Sequence, residues 1–543
     1  MREAIGLLLV AVCTQLAVSN ADTLLYNVGG YTLTGEGLNT FSYLHIDDTG
    51  HVIATGSGSL PQASRRIDGR GTFMLPGLID AHGHIESLGF SRLQVDLVGT
   101  RSLQQARERI RRYAEKHPDL PWILGRGWNQ ELWAVKRFPS ASDLDDIVGE
   151  RPVWLRRIDG HAGWANTAAL TAAGIDAHTE NPLGGEIRRN AQGKATGILV
   201  DNAMDLLDGQ VPKPSRDVVL QALELAFEDL NSVGLTSAHD AGVSAQLAHI
   251  YQELDTQGKL TLRVYAMLSG IENVRAWGKP YTSPDDMLQV RAMKLVADGA
   301  LGSRGAALFS AYSDDPDNLG LPFYDSTETL SAEIREAREK GFQVNVHAIG
   351  TKANHMVLDA MQAAGATPEE RNRDEHAQIV LPDDIPRFKT LGIIPSMQPT
   401  HATSDMNMAE KRLGKKRMAG AYAWRTFLDQ GSRIPGGSDF PVESPNPFWG
   451  LYSAVTRRDH DYQPPGGWYP EQAMTRLEAL RAFTLDAAYA AFMEDKLGSL
   501  EPGKWADFIL VDRDYFHIPE RDIYKIRNLE TWVAGKRVWP RAQ

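Results

Sequence analysis

"LPGLIDAHGHIE", residues 75–86, decides the fold: an apolar run opened by Pro-Gly ends on two histidines separated by one glycine. Side chains at i and i+2 of an extended chain point the same way, so His82 and His84 can reach one ion, with Gly83 leaving room on the opposite side. Taken alone, the pair reads more readily as polar residues where a strand leaves a core. The rest of the chain separates the two readings. His347 ends "FQVNVHAIG", His376 sits in "RNRDEHAQIV", and Asp439 closes "IPGGSDF", each at the polar end of an apolar, strand-like segment. Together they supply four imidazoles and a carboxylate without sulfur, a set that suits zinc and, less selectively, manganese, iron or cobalt. Chemistry presented at the polar ends of successive strands is the habit of a (β/α) barrel.

Outward from that stretch, strands alternate with amphipathic helices. "DVVLQALELAFEDLNSVG" places Val219, Ala222, Leu223, Ala226, Phe227 and Leu230 on one stripe, and "SLQQARERIRRYAEKH" repeats the helical period. The strand candidates include "WILGRGW", "PVWLRRIDGH", "GLTSAHDAG", "LTLRVYAML", "QVRAMKLVADG", "HAQIVLP" and "LGIIPSMQP". The expected fold is α/β, an elaborated (β/α)8 TIM-like barrel over residues 76–495, with an inserted segment at about 100–215 forming lids or substrate walls. Both chain ends show short strands broken by Asp-Gly and Thr-Gly turns. Residues 22–75 and 496–543 are therefore expected to pair into one small β-sandwich domain.

Composition narrows the function classes. The 543 residues are 42% hydrophobic and 23% charged, with a formal net charge of -12 and no basic cluster, which disfavours nucleic acid and anionic membranes as partners. Arg2 followed by "AIGLLLVAVCTQLAV" and the small residues Ser19 and Ala21 read as a signal peptide over residues 1–21, which implies a secreted or periplasmic protein with no membrane association after its removal. Cys13, the one cysteine, leaves with that segment, so neither disulfides nor sulfur ligands are expected in the mature chain. Glycine-rich stretches such as "GALGSRG" lack the P-loop and dinucleotide patterns and read as sharp loops. A homodimer is the common default for such a chain.

The motifs "LPGLIDAHGH" (75–84), "GRGWNQ" (125–130), "DGHAGWANTAAL" (159–170), "TSAHDAG" (236–242), "MKLVADGALGSRGAAL" (293–308), "VHAIG" (346–350), "EHAQ" (375–378), "GSD" (437–439) and "LGSLEPGKWADFILVD" (497–512) follow one another along nearly the whole chain. In that order they resemble the amidohydrolase superfamily of metal-dependent hydrolases, most closely the branch that contains N-substituted formamide deformylases. The resemblance implies His82 and His84 as first-strand metal ligands, His347 and His376 as ligands from the fifth and sixth strands, and Asp439 as the eighth-strand aspartate. It also makes Lys294 a candidate for carboxylation and bridging of two ions. The alternative is an ordinary lysine beside one metal, pairing with Asp298 or touching substrate. Relatives often carry an acid after "HAIG"; this chain has Thr351, whose hydroxyl can cap a helix.

The implied chemistry is hydrolysis of a small-molecule substrate. A divalent ion, most simply zinc, brings the pKa of a coordinated water toward neutrality. Asp439 is suited to take the proton of the attacking water and pass it to a departing nitrogen, and His161 to donate to the developing oxyanion. Trp128, Trp164, Asn166, His239 and Arg304 are candidate substrate contacts. Three of them also have a structural reading: Trp128 as core, His239 as a buttress for a ligand, Arg304 as the partner of Asp298. The expected activity is cleavage of a C–N bond in a non-peptide amide, such as an N-substituted formamide or N-acyl compound. A deaminase, cyclic amidase or ester hydrolase on the same scaffold is the near alternative, and a non-catalytic metal-stabilised binding protein the distant one.

Overall fold

The computed structural model describes residues 21–541 other than Glu36, so residues 1–20 of the expected signal peptide 1–21 lie outside the described residues. Seven parallel strands run in order around a barrel: Leu78–Gly83, Leu235–Val243, Arg263–Ser269, Leu288–Val296, Gln343–Ala348, Arg373–His376 and Ile394–Ser396. Residues 434–440 close it as the eighth, bridging Met397 through Gly436 and Gly83 through Phe440. Pro435 has no N–H to give a ladder, so this strand is held by isolated bonds such as Ala81 N–H to Gly436 O (2.9 Å) and Asp439 N–H to His82 O (2.7 Å).

The sixth strand corrects one expectation. It spans Arg373–His376, ending where "HAQIVLP" begins, because His376 and Ala377 turn to φ of 77° and 41° and leave the extended region. Helices cover the barrel as the stripe patterns require. In Arg216–Ser232, Val219, Ala222, Leu223, Ala226, Phe227 and Leu230 are all buried, in one core with the barrel strands.

The insertion is more than a lid. It builds a six-stranded sheet from Val95–Asp96, Ile123–Trp128, Val153–Arg157, Ala162–Ala165, Gly185–Arg189 and Ala195–Asp201, with its own apolar core. The chain ends form a seven-stranded sheet in which Arg65–Pro76 lies between Thr23–Thr34 and Phe508–Val511. It curls back on itself: His51 bridges Trp505, and Val52 N–H donates to Lys504 O at 2.8 Å. Arg263, at the start of the third barrel strand, makes paired bonds of 2.7 and 3.0 Å to Asp507 and ties this sheet to the end of the barrel opposite the histidines. No helix among the described residues is long and apolar enough to cross a membrane.

Candidate metal centre

Inside the barrel, one ligand atom each from His82, His376 and Asp439 lies within 4.8 Å of the others, and all three residues are buried. The first strand carries His82 to the centre, and the next two residues bring His84 to its rim, where Nε2 stands 3.1 Å from Asp439 Oδ1. Glycine between them is a packing requirement: a Cβ at Gly83 would fall 2.2 Å from the Phe440 ring of the eighth strand. His376 and Asp439 reach inward from left-handed backbone, φ 77° and 59°. For non-glycine residues that conformation costs about 1–3 kcal/mol each and persists where surrounding structure enforces it.

The cluster is built to offer lone pairs. Burial and the neighbouring Lys294 pull His82 down to about 4, so its ring is neutral. His82 Nδ1–H donates to Glu375 Oε2 at 2.5 Å and His376 Nδ1–H to Gln398 Oε1 at 2.6 Å, which makes both Nε2 atoms lone-pair donors. Burial, then His82, holds His376 well below its ordinary value, and burial with His376 does the same to His347. Asp439 goes the other way. Burial opposes its charge, but His84 and His82 hold the carboxyl well below the usual range. Asp439 Oδ1 and His347 Nε2 are buried and hydrogen-bond nothing among the described residues. Leaving such atoms unpaired is costly, and a divalent cation held between His82, His376 and Asp439 would satisfy the carboxylate oxygen.

His347 stands beside the three-residue cluster, its ring 4.5 Å from that of His376 and its Nε2 3.5 Å from Asp298 Oδ1. Lys294, on the fourth strand, points its Nζ to within 3.5 Å of His82 Nε2, and burial lowers its pKa to about 8. His161 arrives from the inserted sheet, 5.1 Å ring to ring from His347. Burial alone would depress it, but the 2.7 Å bond to Asp201 prevails and raises it to about 8. The glycine-rich loop after the fourth strand admits that pair, since a Cβ at Gly299 or Gly305 would meet Asp201 Oδ2 at 2.2 Å.

Several expected substrate contacts are placed elsewhere. Trp128 and Trp164 are fully buried in the core of the inserted sheet, donating to the carbonyls of Leu155 and Ser140. Asn166 is equally buried and is spent on backbone: it caps the helix Thr167–Ala172 and bonds Val153 N–H and Arg151 O. Arg304 pairs with Asp314 at 3.0 Å and not with Asp298, whose oxygens already accept from Ala307, Ile349 and Gly350. His239 is buried in the barrel, its Nδ1 accepting from Arg373 at 3.0 Å. Thr351 does not cap its helix; Gly350 takes that position and the threonine hydroxyl accepts from Phe309 N–H.

Sequence reasoning passed over Glu375, Gln398 and Asp201, which orient histidines, and His401, whose Nε2 lies 3.6 Å from Asp439 Oδ2. His401 sits in the helix Pro399–Asp405 directly after the seventh strand, a position at the same rim that could have been found by counting strand ends.

Comparison with known proteins agrees with the geometry. The Amidohydrolase family model matches residues 65–539. YtcJ of Bacillus subtilis is 34% identical over 529 residues, covering 94% of this chain and 98% of its own. The N-substituted formamide deformylase of Arthrobacter pascens is 29% identical over 486 residues, covering 86% and 89%. Among solved structures, an uncharacterised metal-dependent hydrolase of Pyrococcus horikoshii superposes with a TM-score of 0.74 at 26% identity, covering 92% of this chain and 99% of its own. Likeness of that breadth runs from the terminal sheet through every barrel strand that feeds the cluster, and the chain belongs to the amidohydrolase family as a metal-dependent hydrolase.

Proposed function

We propose that the enzyme cleaves the C–N bond of a non-peptide amide, an N-substituted formamide or N-acyl compound, after export to the periplasm or medium. The observation that carries this reading is the pairing of two groups of opposite protonation around one cluster. Asp439 is held ionised beside the histidines, and His161 is held protonated by Asp201. Amide hydrolysis uses both, because a proton must pass from the attacking water to the nitrogen before it departs, and the carbonyl oxygen needs a donor as its charge builds.

His82, His84, His347, His376 and Asp439 are the residues that would hold a divalent ion, zinc by donor type, with Lys294 as a carboxylated bridge if a second ion is present. When bound, the ion supplies electrophilic activation of the carbonyl and acidification of water. Asp439 accepts the proton of the attacking water as its oxygen adds to the carbonyl carbon. His161 donates a hydrogen bond to the carbonyl oxygen as negative charge builds there. Asp439 then returns its proton to the nitrogen, the C–N bond breaks, and a carboxylic acid and an amine leave. The formamide deformylase of Arthrobacter pascens supports this choice of bond.

The test is a panel of N-formyl, N-acyl and ester compounds supplied to the purified mature protein before and after chelation. Chelator-sensitive release of amine with formate or carboxylate is the expected result; release of ammonia or alcohol alone would replace the reading. Export is checked separately by N-terminal sequencing, which should begin at Asp22.

A further inference from the structure

Four histidine rings at the mouth of the barrel form a row. His161 and His347 lie 5.1 Å apart between ring centres, His347 and His376 4.5 Å, and His376 and His401 5.7 Å, the last two within 17° of parallel. His161 ends the row on the side of the inserted sheet. His401 ends it beside Asp439, with Nε2 3.6 Å from Asp439 Oδ2, too far for a hydrogen bond. The ring is almost enclosed, at 9% exposure for the residue, yet Nε2 is buried and hydrogen-bonds nothing among the described residues. His401 also stands outside the group formed by His82, His376 and Asp439. A buried polar nitrogen without a partner is destabilising, so its place in the site calls for a partner that arrives from outside the chain.

The local sequence fixes where that nitrogen points. The seventh strand ends at Ser396, and Pro399, whose ring suits a first helical turn, opens Pro399–Asp405 immediately afterwards. Gln398 serves two rings at this junction: its Oε1 accepts from His376 Nδ1 at 2.6 Å, and its backbone carbonyl accepts from His401 N–H at 3.1 Å. The turn that orients a residue of the cluster therefore also sets His401. Asp439 divides its two oxygens accordingly. Oδ1 lies 3.1 and 3.7 Å from Nε2 of His84 and His82, while Oδ2 faces His401. The oxygen turned away from the first-strand histidines is the one free to carry a proton to a departing nitrogen, and a nitrogen seated against it also comes within reach of His401 Nε2.

We propose that His401 is a catalytic residue on the leaving-group side of the reaction: its Nε2 accepts the N–H of a secondary amide and holds that nitrogen against Asp439 Oδ2. The inference rests on the C–N hydrolase reading and narrows its substrates to amides whose nitrogen still carries a hydrogen. The proton count closes without His401. Water gives one proton to Asp439 as its oxygen adds to the carbonyl carbon, Asp439 passes that proton to the nitrogen lone pair, and the C–N bond breaks. The amine leaves with the hydrogen it carried from the start, and His401 neither gains nor loses a proton. A tertiary amide or an ester has no such hydrogen and leaves Nε2 buried and unpaired, which is how a site built to bond a substrate N–H rejects an analogue without it.

The test compares N-butylformamide with N-butyl-N-methylformamide on the metal-loaded enzyme, reading kcat/KM from release of the amine beside metal content. The wild type should prefer the secondary amide. His401→Phe keeps a ring and removes the acceptor, and should shrink that preference about 10-fold or more at wild-type metal content. His401→Gln, whose side-chain carbonyl can accept the same N–H, should restore part of it. A wild type that cleaves the tertiary amide as fast as the secondary one, a preference that survives His401→Phe, or loss of metal in both variants would overturn the proposal. Should His401→Phe fail to fold, the wild-type comparison and the same ratio in His401→Leu decide. Release of amine from both compounds without preference removes His401 alone from the reaction; release from neither removes the hydrolase reading and the proposal with it.

Discussion

Glu375 Oε2 lies 2.5 Å from His82 Nδ1, joining the sixth barrel strand to the first with both side chains buried. Arg373 and Ser396 hold the same assembly from below: Arg373 Nη2 donates to Glu375, to Ala81 O and to Ser396 Oγ. The consequence is a fixed tautomer, with Nε2 of His82 left as a lone-pair donor. Glu375→Gln can present its amide N–H to His82 and invert that tautomer. Metal affinity, measured by competition with a chelator, should fall about 10- to 100-fold with the fold preserved. Unchanged affinity would remove Glu375 from the metal site.

Asp439 has a different burden. It touches His84 and His401 at 3.1 and 3.6 Å and sits in left-handed backbone, so its geometry is enforced by the eighth strand and not by the ligands alone. Asp439→Asn keeps the shape and loses the basicity. Turnover should drop about 100- to 10,000-fold, the contribution expected of a lost general base, while the apparent melting temperature changes little. A variant that unfolds instead would make Asp439 a structural residue.

Lys294 decides the number of ions. Its amine is buried 3.5 Å from His82 Nε2, and burial lowers its pKa to about 8, so more of it is neutral near pH 7 than of an exposed lysine, and that fraction can take up carbon dioxide. A carboxylated Lys294 bridging two ions predicts that Lys294→Ala halves the metal content per chain, and that added formate or acetate restores part of it. Metal content equal to wild type would establish one-metal chemistry with an ordinary lysine.

His82, His376 and Asp439, which the structure brings into one cluster, were legible because each closes an apolar strand, and a histidine or aspartate at such a point stands out against its neighbours. Glu375 was hidden by that same logic. It precedes His376 in an acidic run, and its partner lies 293 residues away in the chain, so only the closed barrel reveals the pair. Trp128 and Trp164 misled for a related reason: beside "GRG" and "DGH" they look like cleft walls, yet they pack edge-on at 6.3 Å within a sheet that the insertion builds for itself. Two of that sheet's six strands, Ile123–Trp128 and Val153–Arg157, were visible as apolar runs. Their assembly into a separate core depends on Trp133 and Phe138, in loops with no period to read. Arg304 was likewise aimed at Asp298 by proximity in sequence, before the three backbone N–H groups that fill Asp298 could be known.

His161 tests the proton inventory of the reaction. Asp201 supports its charge, and the close approach of Gly299 and Gly305 supports Asp201. A hydrogen bond to the developing oxyanion acts on the carbonyl oxygen whatever amine leaves. His161→Gln should therefore slow an alkylamide and an activated anilide alike, about 100-fold or more, at unchanged metal content and melting temperature. A loss confined to the alkylamide would make His161 the proton donor to the leaving nitrogen, and loss of metal or a lowered melting temperature would assign it to folding of the site.

Asn166 separates packing from recognition within the inserted sheet. Its Oδ1 accepts from Val153 N–H and Ala169 N–H, both at 2.9 Å, and its Nδ2 donates to Arg151 O at 2.9 Å. One side chain thereby caps a helix and closes the start of a neighbouring strand. Asn166→Ala removes the cap and leaves a buried N–H without a partner, costs that together come to about 2–4 kcal/mol. Apparent melting temperature should fall by several degrees, whereas KM should stay as in the wild type, because no atom of Asn166 faces solvent. A shifted KM with an unchanged melting temperature would return Asn166 to the substrate cleft.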